Sequence, residues 1–259
     1  MIRVTLLLLC ASLSLSACGG SIPAPEGFKG DPATCFKVFQ DRRDRLITLS
    51  GELGLELWEG DQRVRARQLF ASMPPHKLRM DTLSPFEQPL STLIMNEEKI
   101  ALHELEQRRF RVGEPSARNL ERLTKLALDP SALSTALSGQ PPLIQSAGGA
   151  LTWDARRGLY KLTLIAEDAL LADREELWLK HPEMTVSELR LYRRGELTLR
   201  MQLTDYTSFE PRIPQRMRFE LPQSKIRVEV KLKDFALNPD LPEEAFLIEP
   251  PFGLRPEPL

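Results

Sequence analysis

The feature of this 259-residue chain that most limits its fold is an alternation of apolar and polar residues that recurs over much of its length. Two segments show it most clearly: ELTLRMQLTDY, with Leu197, Leu199, Met201 and Leu203 in phase, and SKIRVEVKLKDF, with Ile226, Val228, Val230 and Leu232 in phase. A period of two places alternate side chains on opposite faces of an extended strand. Each segment therefore predicts a strand with one dry and one wet face.

The same pattern extends to other parts of the chain. In LSGELGLELW, the residues Leu49, Leu53, Leu55 and Leu57 are in phase, and after an EGDQ turn Val64, Ala66 and Phe70 alternate with arginines, which predicts a hairpin. We also expect strands at 76–83, 90–96 and 98–106, and about eleven in total. Short turns between successive strands favour a meandering antiparallel sheet. Because one face is dry, the sheet must curl around something or be covered by helices.

Three stretches instead carry helical signals. Residues 36–47 place Phe36, Phe39 and Leu46 at roughly helical spacing among charged residues. SARNLERLTKLA has Ser116 as an N-cap and places Leu120, Leu123 and Ala127 on one face, while DPSALSTALSG has Asp129 as cap, Pro130 in the first turn and Gly139 as the stop. The last two helices interrupt the run of strands.

The N-terminus has the form of an export signal. Arg3 precedes an apolar run, residues 4–17, that is shorter than the roughly 20 residues needed to span a bilayer core. The run ends in Leu-Ser-Ala-Cys, which looks like a bacterial lipobox, where the signal is cut off before a cysteine that carries diacylglycerol. An ordinary cleaved signal with a chance cysteine is the alternative.

The lipobox interpretation sets the predicted organisation. We expect a signal peptide over 1–17, lipidation with palmitate-type chains at Cys18, and a flexible Gly- and Pro-rich tether over 18–35. A lipid-binding domain over 36–250 and a tail over 251–259 follow. Two or more chains on Cys18 would hold the protein stably on a membrane. Gly19, in place of the aspartate that retains lipoproteins in the inner membrane of enteric bacteria, favours the periplasmic face of the outer membrane.

Composition argues against several other functions. Thirty-five basic residues against thirty-six acidic ones give no reason to expect nucleic acid as a partner. Three histidines without HxxH or CxxC spacing, and the absence of a GxSxG or glycine-rich phosphate motif, predict no metal, no cofactor and no enzymatic activity. Cys10 leaves with the signal and Cys18 is modified, so Cys35 has no disulfide partner. We expect Cys35 to be an incidental thiol and the protein to be a monomer.

Several segments resemble the LolA and LolB family of lipoprotein carriers and acceptors. TLSGELGL, RVRARQLFASMPPHKLRM and LSPFEQPLSTLIM are similar to the first four strands of LolB and the loop between the third and fourth. ALDPSALSTALSGQPP resembles its helical segment, and IPQRMRFELPQSKIRVEVKLKDF its closing hairpin. The resemblance covers about residues 37–235. The tail NPDLPEEAFLIEPPFG is more similar to LolA-type carriers, so the resemblance is to the superfamily rather than to LolB alone.

This resemblance implies a mainly β fold, an open antiparallel half-barrel lidded by helices around an apolar cavity for acyl chains. The residues that would line the cavity are Leu53, Leu55, Leu57, Met80, Leu199, Met201, Leu203 and Phe219. The alternative is that these residues form a packed core. Phe86, next to Pro85, occupies the place of an exposed leucine that is thought to enter the membrane in LolB. Turn residues around Phe86 put it at the surface, unless the ring folds back as a plug over the barrel mouth.

The implied function is that of an outer-membrane acceptor. It would take the acyl chains of lipoproteins from a LolA-like periplasmic carrier and help insert them into the membrane through its own lipid anchor. The alternative is an envelope-stress or assembly lipoprotein that binds a lipid or a protein without transferring it.

Overall fold

The computed structural model describes residues 21–126, 128–168 and 172–259; the predicted signal peptide, Cys18 and Ala127 lie outside the described residues. Three α-helices are present in this part of the chain: α1 (Ala33–Arg45), α2 (Ala117–Thr124) and α3 (Pro130–Leu137). The strands are β1 (Leu49–Glu59), β2 (Gln62–Met73), β3 (Lys77–Leu83), β4 (Pro89–Met95), β5 (Ile100–Glu104), β6 (Arg109–Gly113), β7 (Ser146–Asp154), β8 (Leu159–Ala166), β9 (Arg174–Lys180), β10 (Thr185–Arg193), β11 (Glu196–Tyr206), β12 (Pro214–Leu221), β13 (Ile226–Leu237) and β14 (Pro256–Pro258).

The fourteen strands among the described residues form one open sheet in the order β14-β6-β5-β4-β3-β2-β1-β13-β12-β11-β10-β9-β8-β7. Neighbours are antiparallel except for β14, which pairs in parallel with β6. The mainly β, antiparallel prediction is confirmed, but the predicted number of about eleven strands is wrong. β14 has three residues, which is too few for an alternating pattern to be recognised, and β6 has only five.

The local signals in the sequence have the predicted structural roles. Gly60 and Asp61 form the two-residue turn between β1 and β2, and Gly60 has the positive φ (60°) that such turns favour. The Ser116 side chain accepts a hydrogen bond from the N–H of Asn119, and the Asp129 side chain accepts one from Ser131. Helix α1 begins at Ala33 rather than at residue 36.

One face of the sheet is covered by helices. In α3, the Ser134 hydroxyl lies 2.9 Å from that of Ser72 in β2, and the backbone at Gly139 lies against Pro214 at the start of β12. From α1, the Arg42 guanidinium donates a hydrogen bond of 2.9 Å to the carbonyl of Met184. The helices therefore pack on the face that carries Leu49, the register partner of Ser72. We call this the apolar face, and the opposite one the charged face.

The C-terminal residues cross the charged face and end at one edge of the sheet. A short 3-10 helix, Glu243–Phe246, lies over β3, where the Arg79 side chain donates to the carbonyl of Ala245. Beyond it, β14 extends the sheet at β6, and Glu257 in β14 forms an ion pair with Arg109. Prolines at both ends of β14 lack the N–H that a further strand would need, so this edge resists extension.

At the opposite edge, the N-terminal residues pack beside β7 and β8. The N–H of Ile22 donates to the carbonyl of Ala155, and the Trp153 indole donates to the carbonyl of Ile22. The Phe28 ring stacks on Tyr160, with 5.4 Å between ring centroids. Ile22 therefore lies at the β7–β8 turn.

Candidate acyl-chain site and membrane-contact loop

The predicted cavity residues lie together on the apolar face. Met201, Phe219, Val228 and Leu57 are direct register partners from β11 through β12 and β13 to β1, so their side chains form one continuous row. A parallel second row contains Leu203, Met217, Val230 and Leu55. Leu53 is paired with Leu232, Leu199 with Leu191, and Met80 with Leu93 on the same face. Alternation within each strand therefore builds a wide apolar surface.

Burial along these rows decreases towards one side of the sheet. Met201, Leu203, Phe219, Leu53, Leu199 and Met80 are buried in the core, whereas Leu55 and Leu57 are only half-buried. The next partner in the first row, Val64 in β2, is 56% exposed. The apolar face is therefore closed by packed side chains at its centre and opens to solvent at the β1–β2 hairpin.

Phe86 lies in the loop between β3 and β4 and is 85% exposed, so its ring does not fold back over the sheet as a plug. The loop is internally braced: the Ser84 hydroxyl accepts hydrogen bonds from the N–H groups of Phe86 and Gln88. Glu87 has a φ of 64° and forms an ion pair with Arg67 in β2. Arg67 is the register partner of Leu83 at the end of β3 and lies three residues along β2 from Val64, on the opposite face of the sheet. The loop therefore begins at the same end of the sheet as the β1–β2 hairpin.

A buried carboxyl, which the sequence analysis missed, interrupts the apolar face. Glu175 in β9 is in phase with Leu177 and Leu179, pairs with Leu164 and Leu191 in the neighbouring strands, and is completely buried. Burial raises its pKa to about 8, although a hydrogen bond from the N–H of Ile144 acts in the opposite direction. An acidic residue in the apolar phase of a strand was the available signal.

The charged face of the same strands is organised by ion pairs. Glu188 in β10 is contacted by the guanidinium groups of Arg190 and Arg200, the latter at 3.1 Å, and Arg200 also reaches Glu220 in β12. Burial by itself raises the pKa of Glu188. The hydrogen bonds from Arg200 and Arg190 act in the opposite direction and outweigh burial, so the pKa of Glu188 is lowered from its ordinary value. In the same way Arg67 and Lys233 hold the pKa of Glu52 at about 2.

A groove of about 700 Å³ also lies on the charged face, and it crosses from β2 to β10. Gly54 contributes no side chain to its floor, and Arg216, Arg218, Lys231 and Lys233 are among its lining residues. Seven of its fifteen lining residues are charged, and Leu55, Met217 and Val230 of the second apolar row also contribute to the lining. The groove is therefore more polar than the apolar rows themselves.

Other chemistry is sparse in the part of the chain that the structure covers. No three His, Cys, Asp or Glu side chains among those residues are grouped so that they could hold a metal ion. Nor does this part contain a helix long and apolar enough to cross a bilayer. Cys35 is a free, buried thiol whose pKa is raised to about 11, mainly by burial and further by Asp31.

An open antiparallel sheet with one apolar face under short helices is the fold of LolA-type lipoprotein-sorting domains. The structure is similar to an outer membrane lipoprotein-sorting protein domain from Vibrio parahaemolyticus, with a TM-score of 0.58 and 14% identity over 83% of this chain and 97% of that one. It is similar to a LolA superfamily protein from Nitrosomonas europaea, with a TM-score of 0.56 and 14% identity over 82% and 97% of the two chains.

A DUF1329 family protein from Desulfovibrio piger also matches, with a TM-score of 0.59 and 10% identity over 85% of this chain and 98% of that one. At these identities the similarity establishes the fold, and the predicted LolA/LolB-like architecture is confirmed at that level. No protein-family model matches the sequence, and no curated protein matches it.

Proposed function

We propose that this protein is an outer-membrane lipoprotein, anchored through Cys18 on the periplasmic face, that accepts acyl chains of other lipoproteins from a LolA-like carrier and helps insert them into the membrane. The observation that carries the proposal is the pair of apolar rows, which run from a closed centre to an open margin at the β1–β2 hairpin. The shared fold with lipoprotein-sorting domains supports it.

The physical task is to keep acyl chains out of water. Each methylene is worth about 0.8 kcal/mol on burial, so exposing several chains costs tens of kcal/mol. Contact with Leu, Met, Val and Phe side chains removes that cost without directional bonds or catalysis. Delivery then needs only an order of affinities, in which the carrier binds the chains less tightly than this protein and the bilayer binds them best.

In this structure the centre of the apolar face is filled by its own side chains. Chain entry therefore requires α1, α3 or the segment after α3 to move away from the sheet. The half-buried residues Leu55 and Leu57 lie at the open margin, where part of the apolar rows is already accessible. Phe86 lies in a loop at the same end of the sheet and can enter the bilayer interface, since the loop that holds it is braced and the ring is 85% exposed.

Acyl binding is tested with two leucines of similar position on opposite faces. In the Cys18→Ala chain, Leu57→Glu should weaken binding of a fluorescent fatty acid at least about tenfold, because it places a carboxylate in the first apolar row. Leu69→Glu is the matched control: Leu69 is 43% exposed on the charged face, opposite Glu52. Equal effects of the two substitutions, or no binding by the parent chain, would contradict the proposal.

Delivery is tested with two exposed phenylalanines. In a two-step assay, from a loaded carrier to this protein and then to liposomes, Phe86→Glu should leave acceptance and the melting temperature unchanged and block delivery. Phe252→Glu, at a phenylalanine that is fully exposed outside this loop, should leave acceptance, melting temperature and delivery unchanged. If the wild type accepts chains but never delivers them, the protein binds lipid without transferring it, as in the alternative function.

A further inference from the structure

The buried carboxyl on the apolar face has a task that packing does not explain. Glu175 lies on the same face of β9 as the buried residues Leu177 and Leu179. Its cross-strand partners, Leu164 and Leu191, are also apolar. Replacing such a group by an apolar residue of the same size is often neutral or stabilising. Its presence therefore points to a function that a leucine or methionine could not perform.

Only one of the two carboxyl oxygens of Glu175 forms a hydrogen bond in the structure. Oε2 accepts a hydrogen bond of 2.9 Å from the N–H of Ile144, and Oε1 is buried with no hydrogen-bond partner. Ile144 belongs to residues 140–145, an extended segment, here called the strap, that joins α3 to β7. The strap therefore covers Glu175, and one carboxyl oxygen beneath it is available for a further partner. A buried polar atom without a partner is rare and costly in folded proteins.

The protonation state of Glu175 determines which kind of ligand group can form a hydrogen bond with Oε1. Because burial holds the pKa at about 8, the carboxyl is neutral below that pH. Oε2 accepts from Ile144, so the proton is carried by Oε1, which can then act as a hydrogen-bond donor. The complementary ligand group is a neutral acceptor. Ester and amide carbonyls, which join acyl chains to glycerol or to an amine, are such groups.

We propose that Glu175 is the polar recognition point of the acyl-chain site: when α1 or α3 moves away from the sheet, its Oε1 hydroxyl donates a hydrogen bond to the ester or amide carbonyl of a bound chain, while Oε2 keeps its bond to the strap. This inference rests on the proposed function and deepens it. It assigns the ligand class as acyl esters or amides rather than hydrocarbon in general. The apolar rows hold the chain, and Glu175 fixes the position of its polar end.

The experiment compares methyl palmitate with hexadecane, which lacks the carbonyl, as competitors of a fluorescent fatty acid on the Cys18→Ala chain. The measured quantity is the preference for ester over alkane, so general changes in packing cancel. Glu175→Met should lower this preference about five- to tenfold, the value of one hydrogen bond. Glu175→Gln should change it less than twofold, since its amide can accept from Ile144 and donate to the carbonyl. Melting curves establish that both variants fold.

The outcomes separate this inference from the proposed function. If the parent chain binds neither competitor, the proposed function is wrong and the inference falls with it. If the parent binds both and the Met variant keeps the full ester preference, acyl binding stands and Glu175 is not its recognition point. If Glu175→Met does not fold, the same comparison is made with Glu175→Leu. If neither variant folds, the carboxyl is needed for the structure itself and the inference is wrong.

Discussion

Adjacent residues of β11 illustrate how differently the two faces of the sheet are stabilised. Met201 is completely buried in a row of apolar partners, while Arg200 and Gln202 point to the charged face, where Arg200 joins Glu188 to Glu220. Apolar contacts are non-directional, so one apolar partner can replace another at little cost. Ion pairs with hydrogen bonds require particular partners and geometries. The charged face can therefore keep the strands in register while the apolar face exchanges its helical cover for a ligand.

The largest difference between the faces should appear when the same residue is placed on each. Met201→Glu puts a carboxylate among apolar side chains and should cost more than about 4 kcal/mol, which is most of the stability of a protein at the lower end of the ordinary range of about 5–15 kcal/mol. Gln202→Glu, one residue along the same strand, should change stability by less than about 1 kcal/mol. Thermal unfolding followed by circular dichroism measures both. Similar losses would show that the faces are not distinct.

The pH dependence of stability should expose the one carboxyl on the apolar face. Glu175 keeps its proton up to about pH 8 when folded but loses it near its ordinary value of 4.5 when unfolded. The folded state therefore binds more protons between these values, and stability falls as pH rises through that window, by at most about 4 kcal/mol. Glu175→Gln should lose less between pH 5 and 8. The free energy of unfolding is measured by urea titration at several pH values. If wild type and Glu175→Gln lose the same amount between pH 5 and 8, other groups cause the loss.

On the charged face, the largest single effect is expected at Glu188. Glu188→Ala removes the shared partner of Arg190 and Arg200 and should cost about 1–3 kcal/mol, because Glu188 is almost completely buried. Asp41→Ala breaks an exposed pair with Lys37 in α1 and should cost less than about 0.5 kcal/mol. Urea titrations compare them. A negligible effect at Glu188 would show that the ion pairs do not stabilise the sheet.

The features that depend on a few neighbouring residues could be predicted from the sequence. The hairpin around Gly60, the caps at Ser116 and Asp129 and the surface position of Phe86 each depend on a few neighbouring residues. Other features depend on residues far apart in the chain. The pairing of β1 with β13 joins strands that are separated by most of the domain, and the contact of Ile22 with Ala155 has no signal in composition.

Within the site, alternation correctly placed the leucines and methionines on one face, but it gave no information on where that face is open. The gradient from buried Met201 to exposed Val64 depends on which strands the helices cover. Glu175 was missed because a single carboxylate among strand residues such as Arg174 and Glu176 looks like a solvated position. Its phase with Leu177 and Leu179 was the one signal in the sequence, and the register of β9 with its neighbours shows that it faces the core.

The central claim, that the apolar face holds acyl chains, is tested most directly by photo-crosslinking. A palmitate analogue with a diazirine along its chain is bound to the Cys18→Ala protein and irradiated, and the labelled residues are identified by mass spectrometry. The account predicts labels at apolar-face positions such as Leu55, Leu57 and Met201, with their strand neighbours Glu56 and Gln202 unlabelled. Labels concentrated on Glu56, Gln202 and the groove residue Arg218, or no specific labelling, would contradict it.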